Sequence, residues 1–123
     1  MSVEYKNYIN GEWTEAGTRK TFQNHNPADN AQLIGTFQDS GRGDINYAVT
    51  SAKLAQGEWA KTPAPKRAEL IYEIGNELIQ QKEHIAEIMT REMGKVLAET
   101  RGDVQEAIDM AFYAAGEGRR LFG

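Results

Sequence analysis

From Asp44 almost to the C-terminus the sequence keeps a helical period, and alanine fills most of its apolar positions. That pattern constrains the fold more than any other feature. Ile45, Ala48, Val49, Ala52, Ala55 and Trp59 recur at helical spacing and predict a first helix over about 44–59, with Asp44 as its N-cap. Pro63 and Pro65 interrupt the pattern, and Pro65 suits the first turn of a second helix, where a missing N–H is harmless. That helix carries Ala68, Ile71, Ile74-Gly75 and Leu78. A break near Gln81-Lys82 leads to a third helix with Ile85, Ile88 and Met89 inward, closed by Gly94 as a left-handed C′ residue. A fourth helix is predicted over about 96–121, with Val104, Ala107, Ile108, Ala111 and Ala115 in one stripe. Alanine stripes let helices approach closely but bury little area, and burial is worth only about 25 cal/mol per Å². The core is therefore thin, and the chain reads as part of something larger.

Residues 1–41 have a different texture. Tyr8-Ile9-Asn10-Gly11-Glu12-Trp13-Thr14 places Asn-Gly between β-prone residues, the composition of a type I′ hairpin turn. A second hairpin pairs Thr21–Asn24 with Leu33–Gln38 across the turn residues Asn26-Pro27-Ala28-Asp29-Asn30. The predicted fold is mainly α with two N-terminal β-hairpins: hairpins in 1–41, four helices in 44–122.

Composition removes several function classes. Lys and Arg number 14 against 18 Asp and Glu, a net charge of -4, which argues against a basic nucleic-acid face. Cysteine is absent, and with it disulfides, thiolate metal sites and a thiol nucleophile. The longest apolar run, Met110 to Ala115, is far short of the roughly 20 residues a membrane helix needs. The opening MSVEYKNYIN shows no apolar signal core, so a cytoplasmic location is the expectation, with neither membrane nor nucleic acid as partner.

No residue pattern establishes a reaction centre. His25 and His84 are far apart, and His84, beside Glu83 and Glu87, belongs to a solvated helix face. Gly116-Glu117-Gly118 imitates the start of a dinucleotide fingerprint, but Leu121 stands where the third glycine belongs and the glycines follow a helix instead of opening one. Helix termination and close packing explain them better. Arg42-Gly43-Asp44 and Arg101-Gly102-Asp103 are coincidental, the first being helix-entry chemistry and the second lying within a helical pattern. Glu99, Asp103 and Glu106 fall at i, i+4 and i+7 and share one helical face, which either lines a polar tunnel or is solvated, the solvated reading being the better one from the residues alone.

The ordered motifs nevertheless resemble a family. Tyr8-Ile9-Asn10-Gly11-Glu12-Trp13, Asn26-Pro27-Ala28 and Gly35 look like the opening hairpins of NAD(P)-dependent aldehyde dehydrogenases. Trp59, Pro63, Arg67-Ala68 and Leu70 follow the spacing of that family's first helical pair. Arg91-Glu92-Met93-Gly94-Lys95 matches its E-x-G-K helix end, and Tyr113-Ala114-Ala115-Gly116 its Y-x-A-G segment. The likeness runs from about Tyr5 to Gly123, departing locally at Asp29-Asn30-Ala31, where many relatives have Thr-Gly-Glu after the Asn-Pro-Ala.

The resemblance implies the helical prelude of an α/β cofactor-binding domain, a single N-terminal fragment of a longer enzyme. That enzyme would oxidise an aldehyde to a carboxylate with NAD or NADP. No catalytic or cofactor-binding residue is expected in this chain, because the family's cysteine, glutamate base and nicotinamide strands lie beyond it. Its partners would be the remainder of its own enzyme and further copies in a homo-oligomer. The resemblance also places Asp103, Glu106, Met110 and Tyr113 at the border of the substrate tunnel. Asp103 and Glu106 resemble an acidic pair of betaine-aldehyde relatives, while the wording at Arg91–Lys95 and Gly116-Glu117-Gly118 resembles the branch acting on the semialdehyde of 2-oxoglutarate; these imply opposite substrate charges, and both stay open. A structural monovalent cation is implied at the carbonyls of Asn24 and His25 and the carboxylate of Glu92, with a further ligand outside the chain. The alternative is a free-standing helical module that binds a partner protein through its alanine stripes. A further expectation is self-association through the second and fourth helices, with Ile71, Leu78, Ile108 and Ala115 as the contact residues.

Overall fold

A computed structural model describes residues 3–120. The element order is β1 (Glu4–Tyr5), β2 (Asn7–Ile9), β3 (Glu12–Thr14), β4 (Thr21–Asn26), β5 (Asp29–Gln38), α1 (Arg42–Lys61), α2 (Ala64–Gln80), α3 (Lys82–Met93) and α4 (Leu97–Glu117). Contacts divide the chain into two compact units, Met1–Ala60 and Lys61–Gly123. The first helix thus belongs with the strands.

In the first unit β2 and β3 form the predicted hairpin, pairing Ile9 with Glu12 and Tyr8 with Trp13. Asn10 (φ 55°) and Gly11 (φ 81°) occupy its turn in the left-handed conformation a type I′ turn requires. The second hairpin is tighter than predicted: β4 and β5 pair up to Asn26 and Asp29, leaving Pro27-Ala28 as the turn. Asn26 accounts for this. Its Oδ1 accepts the Ala28 N–H at 2.9 Å, and its Nδ2 donates to Gln32 Oε1 at 2.7 Å, closing the strand ends.

The parallel strand β1, which adds to β5 to give the sheet order β1-β5-β4, carried no sequence signal. Two residues are too short for a pattern, and packing holds them. Tyr5 stacks on Phe37 with ring centroids 4.7 Å apart. A Cβ at Gly35 would stand 2.5 Å from Tyr5 Cε2, so the absent side chain makes room for the ring. Buried Gln38 ties the layer together: its Oε1 accepts the Ala16 N–H at 2.9 Å, and its Nε2 donates to Glu4 Oε1 at 3.1 Å and to the Tyr5 carbonyl at 3.3 Å.

Helix α1 starts two residues earlier than predicted, so Asp44 is its third residue and not its N-cap. The carboxylate still serves the helix start. Its Oδ2 accepts the Gly41 N–H at 2.8 Å, the reciprocal half of a capping box, and its Oδ1 accepts the Gly17 N–H at 2.8 Å. These two bonds, Gly17 first, hold the Asp44 carboxyl below its ordinary range. No residue of α1 is buried; Ile45, Val49 and Trp59 keep the predicted spacing yet remain exposed.

In the second unit α2 and α3 pack on α4. Pro63 is the N-cap of α2, and Pro65 sits in its first turn as predicted. Gly94 closes α3 at φ 72°, its N–H donating to the Thr90 carbonyl. The core is Ala86, Val104 and Ile108, flanked by Leu78, Ile85, Met89, Leu97 and Phe112. Ile88, Ile74 and Ala107, predicted inward, are exposed. The reason at Ile88 is that α3 meets α4 through Ala86, whose methyl permits a close approach, and Ile88 lies about 200° further round the helix. Thr100 is fully buried and satisfied: its hydroxyl is 2.8 Å from Thr90 Oγ1 and donates to the Leu97 carbonyl at 3.1 Å. Ile108 belongs to this core and Ala115 is buried elsewhere on α4, so the expected association through these two is corrected. The predicted end of the fourth helix at Leu121 falls outside the described residues.

Candidate functional site

Helix α4 has two working faces. At about 100° per residue, Thr100, Val104, Ile108 and Ala115 point to the core, while Asp103, Glu106, Met110 and Tyr113 lie within an arc of about 80° roughly opposite. The structure thus brings the four predicted tunnel-border residues onto one outer stripe. Met110 and Tyr113 are 64% and 63% exposed.

Asp103 on this stripe is engaged. The Lys95 ammonium, just ahead of α4, donates to Asp103 Oδ2 in an ion pair whose side chains are 31% and 37% exposed. That bond, with the charges of Asp103, Glu99 and Glu106, raises the Lys95 pKa. Sequence reasoning placed Lys95 only in a helix-end motif. The available signal was a cation directly before a stripe of carboxylates at i, i+4 and i+7.

A groove of about 550 Å³ lies between α2 and α4, which the sequence did not reveal. Ala68, Tyr72, Phe112 and Ala115 contribute its apolar lining. Tyr72 and Phe112 meet edge to face at 5.0 Å. On its border, Glu69 accepts from Lys66 at 2.8 Å and from Arg119 at 3.5 Å, and the Lys66 bond chiefly lowers the Glu69 pKa. Gly116 and Gly118 end α4 at this groove. A Cβ on Gly118 would fall 2.4 Å from Ala68 Cβ, so Gly118 is a close-packing residue, whereas a Cβ on Gly116 would meet nothing within 4 Å.

Neither histidine belongs to a group that could hold a metal ion among the described residues. His84 is exposed on α3. His25 in β4 has Nδ1 3.0 Å from the Asn30 carbonyl and Nε2 3.4 Å from Gln23 Oε1. Among the described residues no three His, Asp or Glu side chains gather to hold a metal ion. Of the implied cation ligands, Asn24 and His25 lie in β4 of the first unit and Glu92 in α3 of the second. Both Arg-Gly-Asp copies have structural work: Asp44 caps α1, and Arg101 within α4 binds Glu83 of α3 through two nitrogens, at 2.7 and 2.9 Å. Among the described residues no helix is long and apolar enough to cross a membrane.

The model of the aldehyde dehydrogenase family matches residues 13–123. The chain belongs to the aldehyde dehydrogenase family. It is 39% identical, over all 123 residues, to the alpha-ketoglutarate semialdehyde dehydrogenase of Haloferax volcanii, of which it covers 26%. It is 38% identical over 119 residues to the alpha-ketoglutaric semialdehyde dehydrogenase of Bacillus subtilis, spanning 97% of this chain and 24% of that one. Among solved structures, the NAD-dependent aldehyde dehydrogenase of Sinorhizobium meliloti superposes with a TM-score of 0.89 at 25% identity, over 95% of this chain and 24% of that one. This aldehyde dehydrogenase chain therefore spans about a quarter of the length of the relatives it matches.

Proposed function

We propose that the chain is the N-terminal structural part of an enzyme that oxidises an aldehyde to a carboxylate, passing hydride to NAD or NADP. The observation that carries this reading is the family match over residues 13–123 together with relatives about four times as long. The chain's own contribution is to pack on the cofactor domain and to border the substrate path with Asp103, Glu106, Met110 and Tyr113. It supplies no cysteine for nucleophilic attack on the aldehyde. Its described residues do not fit a dinucleotide either: the glycine pair that imitates a phosphate loop lies at the C-terminal end of α4 instead of opening a helix, and Gly118 packs against Ala68, so no nicotinamide step is assigned to them.

The substrate class we favour is an aldehyde that carries a distal carboxylate. It is supported by the relatives at 39% and 38% identity, which are named for the semialdehyde of alpha-ketoglutarate.

A chimaera tests the reading. The chain replaces the matching segment of the Bacillus subtilis enzyme, and NADH and NADPH formation are followed with carboxylated aldehydes. Aldehyde-dependent reduction is the expected result. A folded, soluble chimaera with no activity rejects the reading.

A further inference from the structure

We propose that Asn10 is a site of spontaneous covalent modification: its carboxamide closes onto the Gly11 nitrogen as a succinimide, releasing ammonia, and water opens the ring to aspartate or isoaspartate. Of the seven asparagines, Asn10 is the one followed by glycine. The attacking nitrogen belongs to the following residue, and a side chain there would shield it. Asn10 and Gly11 are both exposed, and a Cβ added at Gly11 would meet nothing within 4 Å. The ladder closes at Ile9 and Glu12, so Gly11 lies outside the paired residues. The other asparagines are worse placed. Asn26 precedes Pro27, which has no N–H to lose. The Ala31 N–H after Asn30 donates to Asp29 Oδ1 at 3.2 Å. Asn7 and Asn24 lie in strands, and Asn46 and Asn76 in helices.

The turn itself favours ring closure. A five-membered ring through Cγ, Cβ, Cα, the carbonyl carbon and the next nitrogen needs Cβ and that nitrogen eclipsed about the Cα–C bond. In an L residue this occurs at ψ of about −120°, a value that neither helix nor strand supplies. Asn10 already has φ 55°. A type I′ turn gives its first central residue φ about 60° and ψ about 30°, and a type II′ turn gives it the same φ with ψ about −120°. One rotation of the peptide plane between Asn10 and Gly11 therefore brings Asn10 to the closing geometry. Gly11, at φ 81°, then moves to about −80°, which glycine adopts equally well. Both turn types join two-residue hairpins, so β2 and β3 stay paired while the plane rotates.

The chemistry needs only water and a solvent base. The Gly11 N–H gives up its proton, the nitrogen bonds to Asn10 Cγ, and the Cγ–Nδ2 bond breaks as Nδ2 takes up a proton and leaves as ammonia. Hydrolysis at Cγ yields aspartate. Hydrolysis at the Asn10 carbonyl carbon yields isoaspartate, which carries the main chain through Cβ and makes the turn one atom longer. Both products add a negative charge. Isoaspartate also disturbs the Ile9–Glu12 register and the Tyr8–Trp13 contact behind it, whose ring centroids are 4.9 Å apart.

The test ages the 123-residue chain at neutral and mildly alkaline pH, folded and in urea. Trypsin then releases residues 7–19, and mass spectrometry with fragmentation locates a gain of about 1 Da. Isoaspartate is counted by methyl transfer from labelled S-adenosylmethionine with an isoaspartate-specific methyltransferase. The gain is expected first at Asn10, faster at higher pH, and at least as fast in the folded chain as in urea. Methyl acceptance by residues 7–19 falls to background in Asn10→Gln. Modification that begins at another asparagine, a slower reaction in the folded chain than in urea, or undiminished methyl acceptance in Asn10→Gln overturns the proposal. Amide exchange at Ile9 and Glu12 is expected to speed up in the isoaspartate form and not in Asn10→Asp, which gains the charge without the longer main chain. Equal exchange in the two forms overturns the assigned effect on the hairpin.

Discussion

Asp44 shows how one side chain can serve two parts of the backbone. Its two oxygens satisfy the N–H groups of Gly41 and Gly17, so the carboxylate joins the start of α1 to the loop after β3. Because its folded pKa is depressed, the stabilisation it gives is complete above the ordinary aspartate value of about 3.9 and is lost as pH falls through the lower folded value. Glu69, paired with Lys66, and Glu83, paired with Arg101, add contributions of the same sign in the second unit. Acid titration followed by circular dichroism is expected to show the loss below about pH 4. Asp44→Asn is expected to melt lower at neutral pH, to respond less to acid, and to speed amide exchange at Gly17 and Gly41. Unchanged exchange at both glycines in the Asp44→Asn variant contradicts this account. Ile108 is the contrasting case, a residue whose whole contribution is packing. It is 3% exposed between Val104 and Ala86, and Ile108→Ala is expected to destabilise the second unit by about 2–5 kcal/mol in denaturant unfolding.

At the scale of elements, small residues decide how closely the helices approach. Gly118 lies over Ala68, and a methyl added there would stand 2.4 Å from the Ala68 Cβ and 3.1 Å from the Ala64 carbonyl. Neither neighbour is the flexible end of a long side chain. Gly118→Ala therefore forces α2 and α4 apart and is expected to cost about 1–3 kcal/mol, read as a lower denaturation midpoint with little change in slope. Gly94 is a different kind of glycine. It is exposed, and only its φ of 72° matters. Gly94→Ala is expected to cost about 1–2 kcal/mol through backbone strain at the end of α3, and Gly94→Asn less, since Asn tolerates the left-handed region. Equal stability of the Ala and Asn variants would show that the turn, and not φ, holds the helix end.

For the molecule as a whole, the large exposed apolar surface is the feature that needs an explanation. Helix α1 shows Ile45, Val49 and Trp59 on one side and Leu54, 77% exposed, on another. Exposed apolar patches beyond a few hundred Å² are uncommon on soluble monomers. The isolated chain is expected to self-associate, through α1 in place of the buried Ile108 and Ala115. Light scattering over a concentration series checks this. The mass should rise above 13.7 kDa, and Ile45→Asp with Leu54→Asp should bring it back down. A 13.7 kDa particle at every concentration refutes it and favours a self-sufficient module. The isolated chain is also expected to form no NADH or NADPH with any aldehyde, since it has no cysteine.

The amino-acid sequence by itself determined the elements whose causes are local. The Asn10-Gly11 turn follows from two residues that tolerate positive φ. The stop at Gly94 follows from the same freedom, and the entry to α2 follows from proline at a position that needs no N–H. The stripe of Asp103, Glu106, Met110 and Tyr113 follows from helical spacing alone. What only the tertiary structure decided depends on partners distant in sequence. Strand β1 exists because Phe37 and the space above Gly35, both distant in sequence, receive Tyr5. Which apolar face is buried was equally undecided: α1 and α4 carry similar alanine stripes, yet no residue of α1 is buried, while α4 buries Val104 and Ile108 in the core it forms with α2 and α3. The Lys95–Asp103 pair belongs to the same class, because a long flexible side chain takes its direction from the charges the fold sets beside it, and periodicity carries no record of that choice.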